Sequence, residues 1–134
     1  MEHNTPCTIG LGSNTPDREL QIEQALIYIR GILTDAKVST IYESEAYNGK
    51  DNPYLNAVIH GKSSVSEHEL EKRLKEFEQR QGRTPEESQK GIIPIDLDLV
   101  IWDSRIIRPM DFERHYFNRG YRELLAAGAF LQDD

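Results

Sequence analysis

The chain has 134 residues and a formal net charge of −7, which suits one domain spanning residues 1–134, since domains most often run about 100–150 residues. The acidic balance disfavours a nucleic-acid partner, which needs a basic face, and no apolar run approaches the ~20 residues of a membrane span. Hydrophobic residues at 37% and charged residues at 29% fit a soluble globular domain, the start Met-Glu-His-Asn-Thr shows no secretory signal, and the single Cys7 makes a reducing cytoplasm the simplest location.

Cys7, Ile9 and Leu11 alternate with Thr8 and Gly10, so a first strand runs from Cys7 to Leu11. Gly12-Ser13-Asn14 breaks it. Thr15 then reads as the cap of a helix with Pro16 at its first position. Ile22, Ala25, Leu26, Ile29, Ile32 and Leu33 give that helix one apolar stripe. A second strand is expected from Lys37 to Ser44, rich in β-branched residues. Asn48-Gly49 and Pro53 mark a loop. The third strand, Tyr54 to Gly61, puts Leu55, Ala57 and Ile59 on one face and Tyr54, Asn56, Val58 and His60 on the other. Ser66 and Glu69 form a capping box for a helix with Leu70, Leu74 and Phe77, closed by Gly82. Residues 83–94 read as a long structureless loop, a candidate lid. A fourth strand covers Ile95 to Trp102, and Asp103-Ser104 turns it into a short partner at Arg105 to Ile107. Part of Asp111 to Ala127 is expected to be helical.

The order strand, helix, strand, strand, helix, strand predicts an α+β, ferredoxin-like βαββαβ domain. Its antiparallel sheet has both helices on one face, and its other face is open.

Ile95-Asp96-Leu97-Asp98-Leu99 carries the sharpest chemical signal. In a strand, residues two apart point the same way with Cα atoms ~6.6 Å apart. Ile95, Leu97, Leu99 and Ile101 then face the core, and Asp96 and Asp98 face out together. Such carboxylates repel. A divalent cation relieves the repulsion, and Mg²⁺ keeps water or phosphate ligands besides. The bland alternative is two solvated aspartates on a sheet face. Tyr54 and Asn56 share a strand face, where a ring and an amide suit a flat heterocycle; taken alone, an ordinary half-buried face is the simpler account of them. Arg83, Lys90 and Arg119 are candidate phosphate clamps or plain surface cations. Glu78, at the edge of the second helix stripe, either holds a ribose or solvates the helix. Gly61-Lys62-Ser63 lacks the first glycine of a P-loop, because Asn56 stands there. His3, His60, His68 and His115 show no zinc spacing, and Cys7 reads as a core residue.

Together these pieces resemble the 6-hydroxymethyl-7,8-dihydropterin pyrophosphokinase family of the folate pathway. The resemblance rests on Leu11-Gly12-Ser13-Asn14, Ile41-Tyr42-Glu43-Ser44 and Tyr54-Leu55-Asn56-Ala57-Val58. It continues through Glu78 to Arg83, Ile95 to Leu99 and Asn118-Arg119-Gly120-Tyr121. It implies transfer of diphosphate from ATP to the pterin hydroxymethyl group, with release of AMP. It also implies that Asp96 and Asp98 hold two Mg²⁺ ions. Tyr54 and Tyr121 would sandwich the pterin. Asn56 and Ser44, with backbone groups near Glu45 to Tyr47, would bind its polar edge. Glu78, Leu99 and Arg119 would lie at the nucleotide, and Arg83 on the phosphates.

Three departures stand out. Ile93 occupies the place of the family's lid arginine, with Lys90 the nearest substitute. The lid is acidic at Glu86 and Glu87. The family's Pro-His near the C-terminus is matched only by His115-Tyr116 or Tyr116-Phe117. Two other readings therefore stay open. One is a degenerate paralogue that binds pterin or nucleotide without turnover. The other is an interaction module whose open sheet face binds a protein.

Overall fold

A computed structural model describes residues 4–46, 48–131 and 133. In chain order the elements are β1 (Thr5–Ser13), α1 (Arg18–Ile32), β2 (Leu33–Val38), β3 (Tyr42–Ser44), β4 (Tyr54–Ser63), α2 (Glu67–Arg80), α3 (Pro85–Gln89), β5 (Asp96–Trp102), β6 (Arg105–Ile106), α4 (Pro109–Glu113) and α5 (His115–Ala126). Among the described residues six strands form one antiparallel sheet in the order β2-β4-β1-β5-β6, with β3 also on β4. Taking β2 and β3 as two pieces of one edge, this is the ferredoxin-like order. The central strand is β1, which pairs with β4 from Thr5↔Ser63 to Ser13↔Leu55 and with β5 from Cys7↔Trp102 to Gly12↔Asp96.

One face of the sheet carries the main core. Ile9, Leu11, Ala57, Ile59, Ile95 and Leu97 pack there against Ile22, Ala25 and Ile29 of α1 and Leu70, Leu74 and Phe77 of α2. Each fully buried Leu or Ile contributes about 1.5–3 kcal/mol. The α2 capping box forms as expected, with the Glu69 N–H donating to Ser66 Oγ at 3.1 Å. Gly82 follows with a φ of 95°.

The structure corrects the sequence reading at several places. Thr15 is not the α1 cap: its hydroxyl donates to Asp17 Oδ1 at 2.6 Å, and the helix starts at Arg18. The expected second strand is split, because Ser39 takes up both backbone groups of Val58. Its N–H donates to the Val58 carbonyl and its Oγ accepts from the Val58 N–H, each at 2.9 Å. The 83–94 segment is not structureless: Thr84 Oγ1 accepts from the Glu87 N–H and caps α3. Ile101 does not share a face with Leu99. The register against β1 shifts between Thr8 and Ile9, leaving Val100 as the extra residue. Ile101 therefore packs in a second cluster and Trp102 returns to the main core, as a bulge requires.

That second cluster also corrects the open face. Val58, Val100 and Ile101 meet Phe117 and Leu124 of α5 there. A Cβ on Gly120 would stand 2.6 Å from Val58 Cγ2, so glycine lets α5 lie directly on β4. The helices thus cover both faces, the second only in part.

Candidate active site

The uncovered part of the second face is a cleft of about 260 Å³. Its floor is Gly10 and Gly12 of β1, flanked by Tyr54 and Asn56 of β4 and by Asp96, Asp98 and Val100 of β5. Strand glycines often mark close approach of another group. A Cβ on Gly10 would come within 3.0 Å of the Phe117 ring, and one on Gly12 within 3.3 Å of the Tyr54 ring. Ser44, Glu45, Ala46, Asn48 and Asp51 form one rim; Asp111, Tyr116 and Phe117 form the other.

The β3–β4 wall is buried and hydrogen-bonded. Asn56 is 2% exposed, and its Nδ2 donates to Ser44 Oγ at 2.7 Å and to the Tyr42 carbonyl at 3.2 Å. This fixes the amide orientation and leaves Oδ1 on the Gly12 side, 3.4 Å from where a Cβ there would sit. Burial raises the Tyr54 pKa, so its phenol stays neutral. Tyr42 is buried behind this wall. Its hydroxyl donates to the Tyr116 carbonyl at 2.6 Å and accepts from the Gly120 N–H at 3.1 Å, tying α5 to β3.

The β5 wall is charged. Burial, followed by the charge of Asp96, pushes the Asp98 pKa up to about 8. Burial also opposes ionisation of Asp96, but hydrogen bonds from Asp98 and Arg83 outweigh it and hold Asp96 below the usual range. The pair therefore shares one proton at neutral pH, as close carboxylates do. Arg83 Nη1 lies 2.8 Å from Asp96 Oδ1 and 3.1 Å from Glu78 Oε2. At the other end Arg108 Nη2 lies 3.6 Å from Asp98 Oδ1, and its Nε lies 2.5 Å from Asp111 Oδ2. Tyr116 donates its hydroxyl to Asp111. Among the described residues no three His, Cys, Asp or Glu side chains converge as a preformed metal cage.

Asn14 anchors the 83–94 segment. It is 2% exposed; its Nδ2 donates to the Gly91 carbonyl at 2.6 Å and its Oδ1 accepts from the Ile93 N–H at 2.8 Å. Asp51 packs against Gly91, where any Cβ would overlap its carboxyl group. The rim loop and the 83–94 segment thus meet at Asp51, a cleft residue.

The sequence profile of the 7,8-dihydro-6-hydroxymethylpterin-pyrophosphokinase (HPPK) family matches residues 8–125. The chain belongs to the HPPK family. It is 35% identical over 101 residues to a 2-amino-4-hydroxy-6-hydroxymethyldihydropteridine pyrophosphokinase of Aquifex aeolicus, covering 75% of this chain and 62% of that protein. It is 34% identical over 103 residues to the Bacillus subtilis protein of the same name, covering 75% and 61%. A folate synthesis bifunctional protein of Arabidopsis thaliana matches over 96 residues at 33% identity, covering 70% of this chain and 20% of that one. The chain thus spans about three fifths of the length of the two bacterial relatives.

Of the residues the HPPK resemblance singled out, Asp96, Asp98, Tyr54, Asn56 and Ser44 line one cleft, and Arg83 reaches it through Asp96. Four do not line it. Leu99 is 3% exposed in the main core, facing away from Asp98 by strand alternation. Glu78 is turned inward, accepting from the Leu97 N–H at 2.7 Å and bracing Arg83; burial raises its pKa. Arg119 lies over the Tyr42 ring at 5.0 Å. Tyr121 packs against Phe112 at 4.9 Å and Phe130 at 5.2 Å. Phe117, one helical turn earlier, lines the cleft instead, beside Tyr116. Lys90 is not at the cleft either. His60 lies between Thr8 and Asp133, its ring nitrogens 2.8 Å from each. Tyr47 and His3 lie outside the described residues.

Sequence reasoning missed Asn14, Arg108, Asp111 and Phe117. Gly12-Ser13-Asn14 registered as a break and as part of the family resemblance, with no role given to the Asn14 side chain. Phe117 and Tyr121 are four apart on one helix, so spacing alone does not say which reaches the sheet opening.

Proposed function

We propose that this chain transfers diphosphate from ATP to 6-hydroxymethyl-7,8-dihydropterin, releasing AMP, with Mg²⁺ as its cofactor. One observation carries the reading: a half-buried aspartate pair shares a single cleft with a preset amide and the rings of Tyr54, Tyr116 and Phe117. The relatives' names supply the substrate class.

In this reading the pterin ring lies between Tyr54 and Phe117. Asn56 Oδ1 accepts from its N–H edge, and the Ser44 hydroxyl, which already accepts from Asn56, has a proton left to donate. Asp96 and Asp98 fit a hard divalent cation: they are neighbouring oxygen donors, half-buried, on one face of β5 at the cleft. Two carboxylates with room for phosphate oxygens is the set Mg²⁺ prefers, and two such ions would neutralise the ATP phosphates. The pterin hydroxyl oxygen forms a bond to the β-phosphorus while the bond from that phosphorus to the α–β bridging oxygen breaks. AMP leaves with the bridging oxygen, and the hydroxyl proton is released. Arg83, held by Glu78 and Asp96, supplies charge to the phosphates; such transfer depends on positioning and neutralisation more than on covalent chemistry. The lid clamped by Asn14 keeps water from competing with the hydroxyl. The cytoplasm, where ATP and Mg²⁺ are plentiful, is the proposed setting. Among the described residues no helix is long and apolar enough to cross a membrane.

Thermal melting tests the ligand set. At about 100 times its Kd a ligand adds about 2.7 kcal/mol, which is roughly 10 °C for a domain of this size. Mg-ATP and the pterin should each raise Tm, and the ATP shift should vanish in Asp96→Ala. No shift with either ligand would refute the proposal.

A further inference from the structure

The cleft is lined by Glu45, Asp51, Asp96, Asp98 and Asp111, five carboxylates that repel a polyphosphate. At the lid, the position of the family's arginine is filled by Ile93. That residue is 8% exposed, its N–H held by Asn14. Lys90 does not reach the cleft. Arg83 supplies charge at the Asp96 end, where Glu78 and Asp96 both engage it.

At the Asp98 end stands Arg108. The Asp103-Ser104 turn, with φ of 52° and 65°, reverses the chain so that β6 pairs with the end of β5 and delivers Arg108 beside Asp98 just before α4. Its guanidinium bridges Asp98 and Asp111 while its side chain stays 48% exposed. A guanidinium carries five donors in a planar fork, and these two carboxylates use only part of them.

We infer that Arg108 is a phosphate-binding residue of this cleft, supplying from the β6–α4 junction the cation that the lid lacks. The inference rests on the diphosphate-transfer reading above. Without nucleotide, Arg108 is the counter-ion of Asp98 and Asp111. With nucleotide bound, its remaining N–H groups donate to phosphate oxygens as charge-assisted hydrogen bonds, which are stronger than neutral ones. Arg108 and Arg83 then stand at opposite ends of the aspartate pair.

The test compares Arg108→Met, Arg108→Lys and, as a control, Arg105→Ala at an exposed position of β6. Calorimetry measures binding of a non-hydrolysable ATP analogue with Mg²⁺ and, separately, of the pterin; AMP release is measured in parallel. The methionine variant should bind the analogue about tenfold or more weakly, the scale of a lost charged hydrogen bond. Its AMP release should fall by roughly 10²–10³, as when one preorganised donor is removed, with pterin affinity unchanged. Lysine should recover part of both, and Arg105→Ala should match the wild type. Unchanged analogue binding in Arg108→Met would overturn the inference. So would equal loss of pterin and analogue binding with a lowered Tm, which is the signature of a purely structural residue. If the wild type releases no AMP yet binds the analogue in an Arg108-dependent way, the transfer reading fails and the phosphate site stands.

Discussion

The wall built from β3 and β4 holds Asn56 between Ser44 and the Tyr42 carbonyl and keeps Tyr54 neutral, whereas the wall built from β5 holds two carboxylates that share one proton at neutral pH. The first wall is finished before any ligand arrives, because its polar groups partner one another. The second is stabilised only in part, by a shared proton and two arginines. Preorganised recognition and stored electrostatic repulsion thus sit on adjacent strands of one sheet. Removing a group from each wall should therefore have different consequences.

The largest effect is expected at Asp96. Asp96→Ala should lower AMP release by at least about 10³, beyond the loss of one oxyanion donor, with pterin affinity retained. Loss of pterin binding in the same variant would show that the walls are not separable. Asn56→Ala should act the other way round. Losing its hydrogen bonds to the ring edge costs about 1–3 kcal/mol, so the pterin KM should rise by roughly 10–100-fold while Mg-ATP binding holds.

Asp98→Asn tests the stored repulsion without substrate. The folded-state pKa of Asp98 lies near 8, above the ordinary 3.8, so between these values the folded state binds more protons than the unfolded one. Its contribution to stability is present at low pH and is lost as pH rises through about 8. The asparagine variant should lose that slope and melt at least about 4 °C above the wild type at pH 9, the shift expected for roughly 1 kcal/mol. A parallel pH profile in the two proteins would contradict the assignment. The smallest effect on turnover is expected from Ile93→Arg. Restoring the family's arginine should not speed turnover, because the position is buried and clamped. It should lower stability by about 1–3 kcal/mol through overpacking. A faster variant would show that the lid end is free to turn into the cleft.

How far the sequence revealed this cleft follows from the range of the signals. The α2 helix was legible because Ser66, Glu69 and the Leu70/Leu74/Phe77 stripe are local. Asp96, Asp98, Tyr54 and Asn56 were legible as same-face pairs because strand alternation is local too. The β5 bulge at Val100 was not, since it depends on the register against β1. Arg108 was hidden because the turn before it decides where it lands. Phe117 and Tyr121 share a helix face, and the close approach at Gly120 selects between them. The Thr84-Pro85-x-Glu87 cap of α3 was readable but was outweighed by the polarity of the lid. Leu99 came from family resemblance alone and Glu78 also from its place at the edge of the α2 stripe, and burial places both behind the wall rather than in front of it.

The most direct measurement is AMP release from Mg-ATP, with and without 6-hydroxymethyl-7,8-dihydropterin, beside Asp96→Ala. The account predicts AMP that requires the pterin and disappears in the variant. A folded wild type that binds both ligands and releases no AMP would contradict it.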